Sequence, residues 1–187
     1  PKGVMWRQGD LVLALSSGLG VAVPAEYDPS FFDGFFHEPG PVGLPACPLM
    51  HGTGALTSFG TLTAGGSIVC LESRHFDPVE LLDTIDREHV SRIAIVGDAF
   101  AKPILAALDA EPGRWSLESV MAFVSSGVMW SEATKQGMLG HQPSMLLLDA
   151  FSSSEALGMG QSVSGGGAAA KTARFQAGAN TIVVDDD

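Results

Sequence analysis

Residues 77–96 read Asp77-Pro78-Val79-Glu80-Leu81-Leu82-Asp83-Thr84-Ile85-Asp86-Arg87-Glu88-His89-Val90-Ser91-Arg92-Ile93-Ala94-Ile95-Val96. The stretch begins as a helix begins: Asp77 is placed to cap, Pro78 takes the first helical position, and Glu80 puts an acid at the third. Leu81, Leu82, Ile85 and Val90 follow at roughly helical spacing, with Asp83, Asp86, Arg87 and Glu88 on the other face. Arg92 to Val96 is then a short apolar run, the pattern of a strand buried on both faces. A helix leading into such a strand is half of a βαβ unit.

The same alternation runs outward in both directions. Ser67–Leu71, Val120–Val124 and Met145–Leu148 read as further buried strands. Asp98 is expected to cap a helix running to Leu108, with Pro103 either kinking it or confining it to the later turns, and Ser131 to cap another through Met138 and Leu139. Gln8–Leu15 and Ala55–Thr63 also read as helical. The expected fold is α/β, a mostly parallel sheet flanked by helices on both faces with right-handed crossovers. In such sheets ligands bind at the carboxyl ends of the strands, so the loops after Val124 and after Leu148 are where chemistry is expected. The Gly/Ser/Ala-rich run from Gly158 to Ala170 reads as a mobile loop.

Composition narrows the function classes. Hydrophobic residues make up 45% and charged residues 17% of 187 residues, which suits a packed core and excludes a disordered segment. Acids outnumber bases 21 to 10 without any Lys/Arg cluster, which argues against nucleic-acid binding and a polybasic membrane patch. Residues 39–71 carry no Asp, Glu, Lys or Arg, yet Pro41, Pro45 and Pro48 and several glycines interrupt them, so no transmembrane segment is expected. Cys47 and Cys70 lie in apolar runs without metal-ligand spacing. They are expected to be buried free thiols of a cytoplasmic protein. The chain opens without Met and closes on Asp185, Asp186 and Asp187 after the strand-like Thr181–Val184, so it is expected to be an internal piece of a longer protein.

Four segments carry candidate chemistry. Pro1-Lys2-Gly3-Val4 offers a lysine able to hold a polyphosphate as a point charge, if a glycine-rich loop precedes it. Pro48-Leu49-Met50-His51-Gly52-Thr53-Gly54 places a histidine among glycines that permit close backbone approach. Ser125-Ser126-Gly127-Val128 follows a strand with residues small enough for a flat ring to lie on the backbone. Asp149-Ala150-Phe151-Ser152-Ser153-Ser154-Glu155 follows another with an aromatic face, three hydroxyls and a carboxylate, a set that can stack a base, bond a phosphate and hold Mg²⁺. Taken singly, each segment reads better as an ordinary loop of an α/β protein.

In this order and spacing the four resemble the adenylate-forming superfamily of acyl-CoA synthetases, luciferases and peptide-synthetase adenylation domains. Pro1-Lys2-Gly3 resembles the end of the family's phosphate loop, and Pro48 to His51 its Pro-x-x-His segment. Ser125 to Ser131 is similar to its adenine loop, and Phe151 to Glu155 to its Tyr-Gly-x-Thr-Glu motif. Gly97-Asp98-Ala99-Phe100 and the Ser-Ser-Glu ending are most similar to the actinobacterial fatty-acyl-CoA synthetases, including steroid side-chain ligases. The resemblance implies that residues 1–187 are part of an AMP-binding domain, with the ribose-binding aspartate and the C-terminal lid beyond them and little turnover by this stretch alone. It implies ATP, Mg²⁺ and coenzyme A as cofactors, a fatty or steroid side-chain acid as substrate, and a possible homodimer. It implies that Lys2 steadies the β- and γ-phosphates and that His51 sits by the reacting carboxylate. Ser126, Gly127 and Val128 would line the adenine pocket with Phe151 stacking on the base, Ser154 would contact the α-phosphate, Asp149, Ser152 and Ser153 would join the nucleotide-binding set, and Glu155 would bind Mg²⁺. Met129-Trp130 stands where the family has Pro-Leu, and the bulk of Trp130 is expected to reshape a pocket.

Competing readings are weaker. Gly18-x-Gly20 and Gly52-x-Gly54 do not complete a dinucleotide-binding Gly-x-Gly-x-x-Gly, so a nucleotide-binding oxidoreductase ranks second. The serine run lacks the Gly-x-Ser-x-Gly elbow of hydrolases. His37, His51, His75, His89 and His141 lack the spacing of a metal pair, and Asp185 to Asp187 reads as a solvated turn. A non-catalytic ligand-binding homologue is the remaining alternative.

Overall fold

Residues 92–95 form the strand that the opening stretch promised, and it lies third in a seven-stranded sheet. The computed structural model describes residues 3–18, 30, 39–179 and 181–184. In chain order the elements are α1 Gln8–Gly18, β1 Val42–Pro45, α2 Gly52–Thr63, β2 Ser67–Ile68, α3 Pro78–Glu88, β3 Arg92–Ile95, α4 Asp98–Ala110, β4 Ala122–Ser126, α5 Glu132–His141, β5 Leu146–Phe151, β6 Gly160–Ser164 and β7 Gln176–Ala177. The sheet order is β2-β1-β3-β4-β5-β6-β7. Strands β2 to β5 in that order run parallel, while β6 and β7 are antiparallel.

The helix starts follow their sequence signals, with one correction. Asp77 accepts from the Val79 amide at 2.8 Å and caps α3. Ser131 caps α5 through the Thr134 amide. Asp98 does not cap α4: Gly97 holds that position without a side-chain bond, and Asp98 is the first helical residue. Its carboxylate instead reaches across to α5's cap. Helix α4 is not confined to the turns after Pro103: it runs from Asp98 through Pro103 to Ala110.

One face of the sheet is closed by α3, α4 and α5. Leu81 and Ile85, Ile104 and Leu108, and Met138 and Leu139 meet Ile93, Ile95, Phe123 and Leu147 in one buried cluster. Burying each such side chain contributes about 1.5–3 kcal/mol. The other face is covered by α2, packed over β1 to β4, with α1 beside α2. Cover there is partial: Leu146 and Val163, on β5 and β6, stay exposed.

Three further expectations change. Gly158–Ala170 is not a loop throughout, since β6 pairs with β5 from Leu147↔Ser164 to Phe151↔Gly160. Thr181–Val184 forms no strand and is largely exposed. Both cysteines are free, but only Cys47 is buried; Cys70 is exposed.

Candidate functional site

The site is built where β1, β4 and β5 end. His51, six residues beyond β1, caps α2: its Nδ1 accepts the Thr53 amide at 3.2 Å. That fixes the tautomer, because an accepting Nδ1 leaves the ring proton on Nε2. The other edge of the ring faces the loop after β4. A Cβ built on Gly127 would lie 3.2 Å from His51 Cε1 and 3.3 Å from Nε2. Gly127 has φ +94°, which a side chain would resist. The Thr53 hydroxyl donates to the Ser126 carbonyl at 3.5 Å, tying α2 to the same loop.

The loop after β5 arrives at this point too. A Cβ on Gly52 would lie 3.5 Å from Ser154 Oγ. Trp6 Nε1 donates to the Ser154 carbonyl at 2.8 Å, so the segment following Lys2 is also held here. Ser152 Oγ accepts the Gly158 amide and Ser153 Oγ the Ala156 amide, each at 3.1 Å, which closes the loop into a turn. Phe151 is half exposed, with Phe175 beside it at a centroid distance of 5.7 Å. Val128 and Glu155 are exposed. Three of the four segments thus converge, while Lys2 lies outside the described residues.

Asp149 and Trp130 are placed differently from the other loop residues. Asp149 is 4% exposed and turns inward towards Lys135. Burial pushes its carboxyl up, and Lys135 opposes that shift. Trp130 is wholly buried in the core, so it packs the sheet and reshapes no pocket. The loop after β4 is pinned from α4: the Asp98 carboxylate accepts the Ser131 amide at 3.0 Å and its hydroxyl at 3.1 Å, with Lys102 at 3.2 Å. Burial pushes the Asp98 carboxyl up, but the two bonds from Ser131, with Lys102 and Thr134, outweigh it and hold it below the ordinary value.

Beside the loops, between α2 and the sheet, lies an open cavity of about 700 Å³. Leu56, Gly60 and Thr61 of α2 and Ala94, Val124 and Leu148 of the sheet are among its walls. Its size falls in the roughly 300–1,000 Å³ range of small-molecule sites. Among the described residues no three His, Cys, Asp or Glu gather to hold a metal. Glu155 stands as a single exposed carboxylate, which fits a Mg²⁺ held mostly by phosphate oxygens and water.

Sequence reasoning missed Trp6 and Lys135, and it quoted Thr53 and Gly97 within their motifs without giving either a role. Of the two missed, Lys135 left a signal: it shares a helical face with Thr134, Met138 and Leu139, a core-facing position where lysine is out of place.

A mostly parallel sheet with loops gathered at its carboxyl ends and an apolar cavity beside them has the arrangement of a ligand-binding α/β domain. The chain belongs to the AMP-binding enzyme family, whose model matches residues 1–187. It is 30% identical to the medium-chain acyl-CoA ligase Mig of Mycobacterium avium, over all of this chain and 34% of that protein. It is 31% identical to a medium/long-chain-fatty-acid–CoA/3-oxocholest-4-en-26-oate–CoA ligase of Mycolicibacterium smegmatis, over all of this chain and 35% of that protein. The chain therefore spans about a third of the curated relatives it matches. In fold it is similar to the O-succinylbenzoate coenzyme A synthetase of Bacillus subtilis in complex with ATP and magnesium ion, with a TM-score of 0.59 at 20% identity over 89% of this chain and 30% of that one. The oxidoreductase reading has no support from these matches. No helix among the described residues is long and apolar enough to cross a membrane.

Proposed function

We propose that the protein containing this chain is an ATP-dependent acyl-CoA ligase acting on a fatty or steroid side-chain acid. The observation that carries the proposal is the convergence of His51, Gly127 and Ser154 at the strand ends beside the apolar cavity. Two anionic reactants must meet, so the site has to position them and neutralise charge rather than supply a nucleophile. A carboxylate oxygen of the acid attacks the α-phosphorus of ATP, and pyrophosphate leaves. The coenzyme A thiolate then attacks the acyl carbon, and AMP departs with the bridging oxygen.

Each residue has a part in this scheme. Ser126, Gly127 and Val128 line the adenine, and Phe151 stacks on it. Ser152 and Ser153 shape the turn that presents the Ser154 hydroxyl to the α-phosphate. Lys2 steadies the outer phosphates. Glu155 holds Mg²⁺, which neutralises phosphate charge when bound. His51 donates from Nε2 to the acid's carboxylate, at the boundary between nucleotide and cavity. The acyl chain lies along α2 in the cavity, and the names of the relatives, medium- and long-chain fatty acids and a steroid acid, support that class.

The test is acid-dependent exchange of labelled pyrophosphate into ATP by the full-length protein, run over a panel of fatty and steroid acids. Exchange with one acid class, abolished in Glu155→Ala, is expected. ATP binding without exchange for any acid would instead make the protein a non-catalytic homologue.

A further inference from the structure

The geometry points to Lys135 and Asp149 as a buried positioning pair that sets the spacing between the two nucleotide-facing loops, residues 126–130 and 151–155. This rests on the ligase reading above only in that those loops hold the nucleotide. Lys135 lies on α5 with its side chain 1% exposed, and Asp149 lies on β5 with its side chain 6% exposed. Nζ is 3.9 Å from Asp149 Oδ2 and has no hydrogen-bond partner.

The position of the pair gives it its role. Asp149 is two residues before Phe151, and in the sheet it stands opposite Ser125, one residue before Ser126. Lys135 is four residues beyond Ser131, the cap that ends the 126–130 loop. One charge is thus fixed to the element that leaves the first loop, and the other to the strand that enters the second. Ser125 extends the same anchorage, because its hydroxyl accepts the Gly97 amide at 2.9 Å.

Stability does not account for such a pair. Taking both ions out of water costs several kcal/mol, and a well-packed apolar pair is often as stable or more so. What an apolar pair lacks is direction. A buried lysine facing one buried carboxylate at 3.9 Å favours one relative placement of α5 and β5, and so of the loops that continue them. Misplacement of about 1 Å in such a site costs up to 100-fold.

The experiment compares the full-length wild type with Lys135→Met, Asp149→Asn and the double variant Lys135→Met/Asp149→Leu. The dissociation constant for Mg-ATP, the melting midpoint and the KM values for ATP and for the acid are measured, each variant well below its own midpoint. Either single change strands a buried group and lowers both melting midpoint and ATP affinity. The apolar double variant is expected to recover the midpoint while its ATP dissociation constant and KM stay raised on the order of tenfold, with the KM for the acid unmoved. A double variant that binds ATP as the wild type does would make the pair merely structural. So would an equal rise in both KM values. Wild type that binds ATP without acid-dependent exchange would sink the ligase reading and leave the pair to be judged on ATP binding. Wild type that binds no ATP would overturn both.

Discussion

Replacing Gly97 with alanine tests how the adenine-side loop is held. Gly97 has φ +55° and ψ −154°, a conformation that only glycine adopts without strain, and forcing it on alanine costs about 1–3 kcal/mol. The new Cβ would lie 2.5 Å from the Met129 carbonyl oxygen and 2.8 Å from that of Val128. Both are backbone atoms that no rotamer change moves aside. Gly97 cannot retreat, because its amide is bonded to Ser125 Oγ at 2.9 Å and the next amide, Asp98, donates to the Met129 carbonyl at 3.1 Å. Breaking that last bond adds about 1–3 kcal/mol. In a protein domain of this size each kcal/mol moves the midpoint about 2–4 °C, so a fall of roughly 5–20 °C is expected in thermal denaturation. Because residues 128–129 are pushed outward, ATP affinity should fall with it. Gly113→Ala is the control: φ is +80° there too, but nothing lies within 4 Å of the added Cβ. If Gly97→Ala melts and binds ATP like the Gly113→Ala control, the loop is not held as described.

Two further changes separate capping from chemistry. His51→Asn keeps a side chain suited to capping α2 but removes the Nε2 donor; the midpoint should hold within about 2 °C while pyrophosphate exchange falls about 10–100-fold. An equal loss of both would reduce His51 to a cap. Asp98→Asn weakens the clamp on Ser131 and should cost about 1–3 kcal/mol at neutral pH in denaturant titrations. The Asp98 pKa is lowered on folding, so its contribution is present above the ordinary aspartate value of 3.8 and is lost as pH falls through the folded value. The deficit of the variant should therefore shrink in acid, and a deficit constant with pH would deny the charge a role.

Where burial dictated sequence, the fold was legible. Strand β3 and the start of β4 are apolar because helices lie on both of their faces, and α3 announces itself through Asp77-Pro78 and its acidic face. Strand β1 was hidden by Gly43 and Pro45, residues that propensity reads as turns although Leu44 is buried between them. Strand β6 was hidden by Gly160, Ser162 and Ser164, small polar residues held in a sheet by the open edge of β5 rather than by their own preference. In the site, the order of motifs led to His51, Gly127 and Ser154. The partners that hold them could not be read, since Trp6 reaches Ser154 across 148 residues and Asp98 reaches Ser131 across 33. Asp149 shows the limit most clearly. Its motif position marks it for the nucleotide, while the inward face of β5 turns it to Lys135.

The central claim is that a carboxylate attacks the α-phosphorus of ATP, and oxygen transfer tests it most directly. The full-length protein is given ATP, coenzyme A and a fatty acid whose carboxylate oxygens are both ¹⁸O, and the AMP and phosphate products are analysed by mass. Adenylation predicts one labelled oxygen in AMP for each thioester formed, and unlabelled pyrophosphate. Label in inorganic phosphate, or thioester formed with unlabelled AMP, would contradict it.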